Sequence, residues 1–352
     1  MLVLLTAPAS TLAQDDNAVA TLRAIGKTFA SIAEKASPAV IVLTVDRPSP
    51  QARRGNPERR IIIDRDSLPS SIRTQKFGQQ ARGLGFVVSN DGYILTCNHL
   101  VDSAQKINAE LADGREFEAE IIGTDPDTNI AVVKIDEKNL PALELGDSDV
   151  LKAGDWVVGI SNTMGLGRTF ASGLVTAKNR SGLGIAELED YLQISINLQV
   201  DGGGPLLDLD GNVVGIYSAR FDGERSTGIS FAIPANMAKD IYEQLIKTGT
   251  VERGFLGIAL KDVDAQTADA LDLEKIEGVV IQDVIEDSAA EKAGMKSYDV
   301  LVEFNGKPIE SASRFILRVA FLKPGTKVDL VVLREGQRRN LTVTLDKRPS
   351  AQ

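Results

Sequence analysis

The sequence predicts a mainly β protein, a barrel pair or sandwich followed by a compact α+β module. Three observations predict it. Between residues 39 and 233, short β-type runs recur with tight-turn pairs such as Asp91-Gly92, Asp113-Gly114 and Asp210-Gly211 between them. Such pairs accept the positive φ that a hairpin turn needs. From Arg253 the pattern changes to strand-like runs mixed with short helical ones. The 352 residues are also enough for two domains at roughly one per ~150 residues.

Composition excludes several classes of function. A net charge of -10 argues against a general affinity for nucleic acid or anionic membrane. A single cysteine precludes an internal disulfide, and with a single histidine it excludes the common zinc constellations. Asp208 and Asp210 lack the spacing of a calcium loop. The glycine-rich turn at 162–167 lacks any phosphate-binding pattern. No cofactor or metal is indicated. Aromatics are only 5% of the chain, so the cores must be built from Val, Ile, Leu and Ala.

In chain order, residues 1–13 read as a partial signal peptide, with Leu2 to Leu5 as an apolar stub and Thr11-Leu12-Ala13 as a cleavage site. Export to the periplasm or cell envelope is expected. No other run is long and apolar enough to span a bilayer. Residues 14–36 form an N-terminal helical segment, since Leu22, Ile25, Phe29, Ile32 and Ala33 recur at helical spacing. Ser37-Pro38 stops it. Ala39 to Val45 reads as a buried strand. A basic loop at about 47–82 follows, holding Arg53, Arg54, Arg59, Arg60, Arg65 and Arg73. It is expected to be a solvated loop, with docking of a partner as the alternative.

Further strands are expected at Phe86 to Ser89, Tyr93 to Thr96, Lys106 to Leu111, Glu116 to Ile122, Ile130 to Ile135 and Trp156 to Ile160. Others follow at Phe170 to Lys178, Leu192 to Leu198, Val213 to Ala219 and Gly228 to Ile233. Asn236 is expected to cap a helix that runs to Lys247 and closes a domain over 37–247. The module over 253–346 is expected to hold strands at Phe255 to Leu260, Gly278 to Val284, Val300 to Phe304, Lys327 to Arg334 and Arg339 to Leu345. Its helices are expected at Ser288 to Ala293 and Ser311 to Phe321.

Several short motifs, in fixed order, carry a resemblance. They include Gly83-x-Gly85-Phe86, Asp91-Gly92-Tyr93-Ile94-Leu95-Thr96, Asn98-His99, Asp125-Pro126-x-Thr128, Gly203-Gly204-Pro205-Leu206-Leu207 and Phe231-Ala232-Ile233-Pro234. In the module, Arg253-Gly254-Phe255-Leu256-Gly257-Ile258, Ala293-Gly294-Met295 and Asp299-Val300-Leu301 add to it. Nearly everything after residue 36 resembles the HtrA/DegP family of exported trypsin-like serine proteases with a C-terminal PDZ domain. The resemblance implies a chymotrypsin-like pair of six-stranded β-barrels with a cleft between them, then the PDZ module. It also implies a homo-oligomer, a trimer by the family's habit, or a mixed oligomer with active relatives.

Such a protease needs a serine nucleophile, an imidazole base and a carboxylate that orients the imidazole. His99, the only histidine, occupies the family's histidine position at a strand end. The carboxylate position is Asn129, and the serine position is Gly202, or Gly203 if the loop is one residue short. There is no Ser, Thr or Cys from Leu198 through Tyr217. Val200 also replaces a glycine of the oxyanion loop, and the glycine run is expected to be loose. Asp125 and Asp127 sit on the preceding turn and are not expected to substitute for the carboxylate. Cys97 shares a strand face with His99, and its bland reading is a small buried residue. Asp201 is a further potential partner of His99.

The PDZ module shows no comparable loss. Phe255, Leu256, Gly257 and Ile258 resemble the loop that captures a peptide C-terminal carboxylate with backbone N–H groups. Phe315, Ile316 and Val319 are expected to line the pocket. Tyr298 stands where the family has Gly, so its turn is expected to differ. The expected function is therefore a pseudoprotease that binds peptide C-termini or unfolded polypeptides as scaffold, chaperone or regulator. The alternative is a residual hydrolase using His99 with Asp201, Cys97 or a water.

Overall fold

The computed structural model describes residues 16–48, 80–161, 168–196, 202–220, 229–271, 273 and 277–349. The signal peptide, most of the basic loop (49–79), the turn at 162–167, Val200 and Asp201 fall outside the described residues.

Helix α1 (Asp16–Ala36) carries the expected apolar periodicity, but only its last turns pack on the body: Ile32 and Ala36 are buried while Leu22 and Ile25 are exposed. Ser37-Pro38 converts it to one turn of 3-10 helix, and the chain enters β1 (Val40–Asp46). The strands β2 (Gln80–Val87) and β3 (Tyr93–Cys97) follow as a hairpin. Gly92 sits at φ 100°, which L side chains rarely adopt. The short helix α2 (Asn98–Val101) comes next, then β4 (Lys106–Glu110), β5 (Glu116–Glu118), β6 (Glu120–Asp125) and β7 (Ile130–Lys134).

The sheet order is β5-β4-β1-β2-β3-β7-β6. The strand expected at Glu116 to Ile122 is broken at Ala119, whose N–H donates to Ile107 O at 2.9 Å. Its first half pairs with β4 and its second with β7, so one bent segment supplies both end strands of a seven-stranded sheet rather than the six strands expected. The second barrel has the closed order β10-β13-β12-β11-β8-β9. Its strands are β8 (Trp156–Ser161), β9 (Thr169–Arg180), β10 (Tyr191–Ile194), β11 (Pro205–Leu207), β12 (Val213–Arg220) and β13 (Ser230–Pro234). Both interiors are mostly Val, Ile, Leu and Ala, with Phe86, Tyr191, Tyr217 and Phe231 as buried aromatics among them.

Helix α3 (Ala235–Thr248) starts one residue before the expected cap. Asn236 lies inside it and donates from Nδ2 to Asp147 at 2.8 Å, tying the helix to the 147–150 turn. The module adds a five-strand path β15-β16-β17-β19-β20, made of β15 (Ile258–Asp262), β16 (Val279–Val284), β17 (Val300–Phe304), β19 (Lys327–Arg334) and β20 (Gln337–Thr344), with the two-residue β18 (Lys307–Pro308) paired to β17 off that path. The strand expected over Phe255 to Leu260 is split. Gly254–Phe255 (β14) pairs with Asp346–Lys347, Gly257 turns at φ 78°, and β15 begins after it. Helix α4 (Ala265–Ala270) has no counterpart in the sequence reading; Asp264 caps it. Ser288 and Ser311 cap α5 (Ala289–Lys292) and α6 (Ala312–Ala320). Tyr298 takes a φ of 71°, left-handed backbone that glycine adopts readily and a tyrosine rarely does.

The barrels and the module are joined by a buried ion pair. Arg253 donates to Asp125, which also accepts from Thr128; their side chains are 4% and 6% exposed. Burial pushes the Asp125 carboxyl up, and the guanidinium opposes that shift. Leu317 and Ala320 of α6 pack on Leu188 of the barrel domain. Arg253→Ala is expected to destabilise the chain by about 3–5 kcal/mol, because it strands a buried carboxylate. Urea denaturation followed by circular dichroism checks this. A loss under about 1 kcal/mol, the scale of an exposed pair, contradicts it.

Candidate functional site

The cleft between the barrels is where α2, the β6–β7 turn and the segment before β11 converge. His99 lies in the first turn of α2, not on the strand end that the sequence suggested, and it is exposed. The backbone bends at Asn98, whose N–H donates to Asn129 O at 3.0 Å. Arg47 holds α2 from behind, donating from Nη2 to His99 O at 2.6 Å and Leu100 O at 3.0 Å.

Asn129 is buried at φ 63°, a left-handed conformation that Asn tolerates well. Its Oδ1 accepts the His99 main-chain N–H at 2.9 Å and lies 3.0 Å from His99 Nδ1. Its Nδ2 lies 2.9 Å from the same Nδ1 and donates to Ser218 Oγ at 3.0 Å. The geometry of a base and its orienting residue is therefore present, with an amide in place of a carboxylate. Asp125 and Asp127 face away: Asp125 binds Arg253, and Asp127 pairs with Arg253 at 3.4 Å and Arg348 at 3.8 Å.

Gly202 faces the imidazole. A Cβ built on it would lie 2.9 Å from His99 Cε1, 3.2 Å from Nε2 and 3.3 Å from Cys97 Sγ. A Cβ on Gly203 would instead strike Leu84 O at 1.9 Å, so Gly202 is the position that addresses His99. Gly202 and Gly203 have φ of 93° and 86°, both left-handed. The glycine run is not loose: Gly202 O accepts from Leu84 N at 3.1 Å, Gly203 N donates to Tyr217 O at 2.8 Å, and Gly204 O accepts from Tyr217 N at 2.8 Å.

Cys97 does not share a face with His99 as a reactive thiol. It is fully buried and donates to Tyr217 O at 3.5 Å. Burial pushes its pKa up to about 12, so it holds no thiolate at neutral pH. Ser218 was missed by sequence reasoning. It follows the Gly203 to Tyr217 stretch directly, and only the pairing of β12 with the rest of the barrel brings it to Asn129.

In the module, Leu256 O accepts from Ala290 N at 2.9 Å and Gly257 O from Ile285 N at 2.8 Å. In a trans peptide the next N–H points opposite to the carbonyl. The N–H groups of Gly257 and Ile258 therefore point away from these inward bonds. Gly257 is sterically required, since a Cβ there would lie 2.4 Å from Ser288 Cβ. Strand β15 is the end of its sheet, and α6 stands beside it, with Ala312 N donating to Asp262 Oδ1 at 2.6 Å. Phe255 and Ile258 are half-buried. Phe315 and Val319 turn into the module's core, Phe315 edge-on to Phe304 with centroids 5.4 Å apart. Leu256 is in that core as well. Of the three helix residues expected in the pocket, only Ile316 is exposed.

Comparison with known proteins places this arrangement. Residues 83–216 match the family model described as trypsin-like peptidase domain, and residues 254–345 match the PDZ domain. The chain is 41% identical over 344 residues to a probable periplasmic serine endoprotease DegP-like of Chlamydia pneumoniae, covering 93% of this chain and 70% of that protein. It is 38% identical over 328 residues to the periplasmic pH-dependent serine endoprotease DegQ of Escherichia coli, covering 92% and 71%. Among solved structures, the HtrA-type protease AlgW with tripeptide superposes with a TM-score of 0.77 at 34% identity, over 92% of this chain and 98% of that one. With barrels, cleft and C-terminal module all matched along its length, the chain belongs to the HtrA/DegP family of trypsin-like serine proteases that carry a PDZ domain.

Proposed function

We propose that this chain is an exported, non-cleaving member of its family that captures polypeptide C-termini or unfolded segments through its PDZ module. The observation that carries the reading is Gly202 beneath His99: the position addressed by the imidazole has no side chain to attack a carbonyl. The relatives named as periplasmic support the same compartment for this chain. No described helix is long and apolar enough to cross a membrane.

Capture rests on the N–H groups of Gly257 and Ile258, which would bind a carboxylate, and on the end strand β15, which would pair with the peptide. Ile316 supplies exposed apolar surface beside it. The protein acts as scaffold, chaperone or regulator in protein quality control. Oligomerisation, as a homo-trimer or as a mixed oligomer with active relatives, is supported by one apolar face. Trp156 and Phe170 are exposed, and Phe29 packs on Trp156 with ring centroids 5.3 Å apart.

A second reading, a hydrolase using Cys97, is opposed by burial of that thiol. Iodoacetamide in mildly alkaline buffer is expected to leave Cys97 unmodified in the native chain and to alkylate it in denaturant. Rapid native alkylation, followed by mass spectrometry, would revive the second reading.

The native chain is expected to leave unfolded casein intact. Gly202→Ser combined with Asn129→Asp is also expected to stay inactive, or nearly so. The left-handed backbone at 202 costs a non-glycine residue on the order of 1–3 kcal/mol, and the imidazole occupies the space of the new Cβ. Fragments from the native chain that disappear in His99→Ala would sink the non-cleaving reading.

Peptides with a free C-terminus are expected to bind, and amidating that terminus is expected to weaken binding at least about tenfold, or ~1.4 kcal/mol. Ile316→Asp is expected to do the same. Equal affinity for free and amidated peptides, measured by fluorescence anisotropy, would remove carboxylate capture.

A further inference from the structure

Strand β15 is five residues long, and alternation sorts them between the two faces of its sheet. Ile258 and Leu260 pack toward the module's core. Asp262 is on the same face, because it stands opposite Val279, a residue of that core. This face also looks onto α6. Asp262 Oδ1 accepts from Ala312 N at 2.6 Å, at the first residue of the helix. Ile316, one turn further on, lies on the same side of α6 as Ala312. The groove between the free edge of β15 and α6 therefore has aliphatic walls and a carboxylate at the end away from Gly257.

That carboxylate has no counter-ion among the described residues. Its neighbours are already paired, Lys261 with Asp264 at 2.9 Å and Arg314 with Glu310 at 2.8 Å. The bond to Ala312 uses Oδ1 alone, and Asp262 is exposed, so Oδ2 is open to a ligand.

A peptide whose terminal carboxylate sits on the Gly257 and Ile258 N–H groups is held at the start of β15. The rest of it must extend along the strand in the opposite chain direction. Both chains advance about 3.4 Å per residue, so they stay in step. The last residue then lies beside Ile258, the third-last beside Leu260 and the fifth-last beside Asp262. Cross-strand neighbours point to the same face, so these three side chains turn toward α6.

We propose that Asp262 is a specificity-determining residue of this groove, selecting polypeptide C-termini that carry Lys or Arg at the fifth-last position. The proposal rests on the capture reading and narrows its ligands to tails with aliphatic residues at the last and third-last positions and a basic one at the fifth-last. The cation meets Oδ2 while Oδ1 keeps its bond to the helix, so binding leaves the groove its width. An acidic side chain at that position is repelled. The pair is exposed to water, so it tunes affinity by a few-fold and leaves the bulk of binding to the carboxylate and the strand.

The test titrates the whole chain with labelled peptides by fluorescence anisotropy. The peptides have a free C-terminus, aliphatic last and third-last residues, and Lys, Gln or Glu at the fifth-last position. At low salt the Lys peptide is expected to bind about three- to fivefold more tightly than the Gln peptide, and the Glu peptide to bind more weakly by a similar factor. At about 1 M salt the difference is expected to vanish, because charges are then screened within about 3 Å. Lys moved to the fourth- or sixth-last position turns away from α6 and is expected to lose the gain. Asp262→Asn keeps an oxygen for Ala312 N and is expected to bind all three peptides alike. Asp262→Lys is expected to prefer the Glu peptide, an inversion that a merely structural role does not produce.

Equal affinity of the native chain for the Lys and Glu peptides overturns the proposal, and this needs no variant to fold. A Lys preference that survives in Asp262→Asn, or that is strongest at the fourth-last position, overturns it as well. Peptides that bind without regard to charge remove only the part given to Asp262. Peptides that do not bind at all remove the capture reading and this proposal with it.

Discussion

The contact between Arg253 and Asp125 fixes more of this molecule than any other single interaction. It is buried, it crosses from the PDZ module to the barrels, and it clamps the turn that ends in Asn129. Asp125 and Thr128 are bonded to each other four and one positions before Asn129. Leu188 N donates to Asp127 O at 2.8 Å, so the segment that packs on α6 is tied to the same turn. A charge placed there has no water to fall back on, and the turn is held by what it would cost to release it.

Around that turn the side chains and backbone of the cleft are placed in concert. The glycine at 202 is accompanied by a left-handed backbone and by an imidazole that occupies the space a Cβ would need. The amide at 129 is accompanied by a serine placed to receive its extra hydrogen. The backbone of the glycine run is nevertheless bonded on both sides, to Leu84 and to Tyr217.

Much of the fold was legible in the sequence because its signals are local. Asp91-Gly92 announces a hairpin by backbone chemistry alone, and the apolar run from Ser311 to Phe321 announces α6. The cleft was legible through Asn98-His99 and the Gly-Pro-Leu motif, read as a resemblance. What stayed hidden depends on long-range placement. Ser218 meets Asn129 across 89 positions, and nothing beside it in sequence marks it as a partner. Phe315, Ile316 and Val319 are all apolar on one short helix, and periodicity does not say which apolar neighbour faces the core and which the groove. The break at Leu256-Gly257 was hidden by five consecutive residues that each suit a strand except for one glycine.

Closure of the second barrel has an effect beyond housing a cleft. A closed barrel has no strand edge to offer, so edges for backbone pairing are left to β5 and β6 of the first sheet and to the ends of the PDZ sheet. One end, β20, carries Arg338 and Arg339 along its exposed length, and charged side chains deter such pairing. The other end, β15, is the proposed peptide edge. The surface that would recognise a client is then also the surface most open to unwanted strand addition. A bound peptide seals it, so a client-loaded molecule resists self-association better than an empty one.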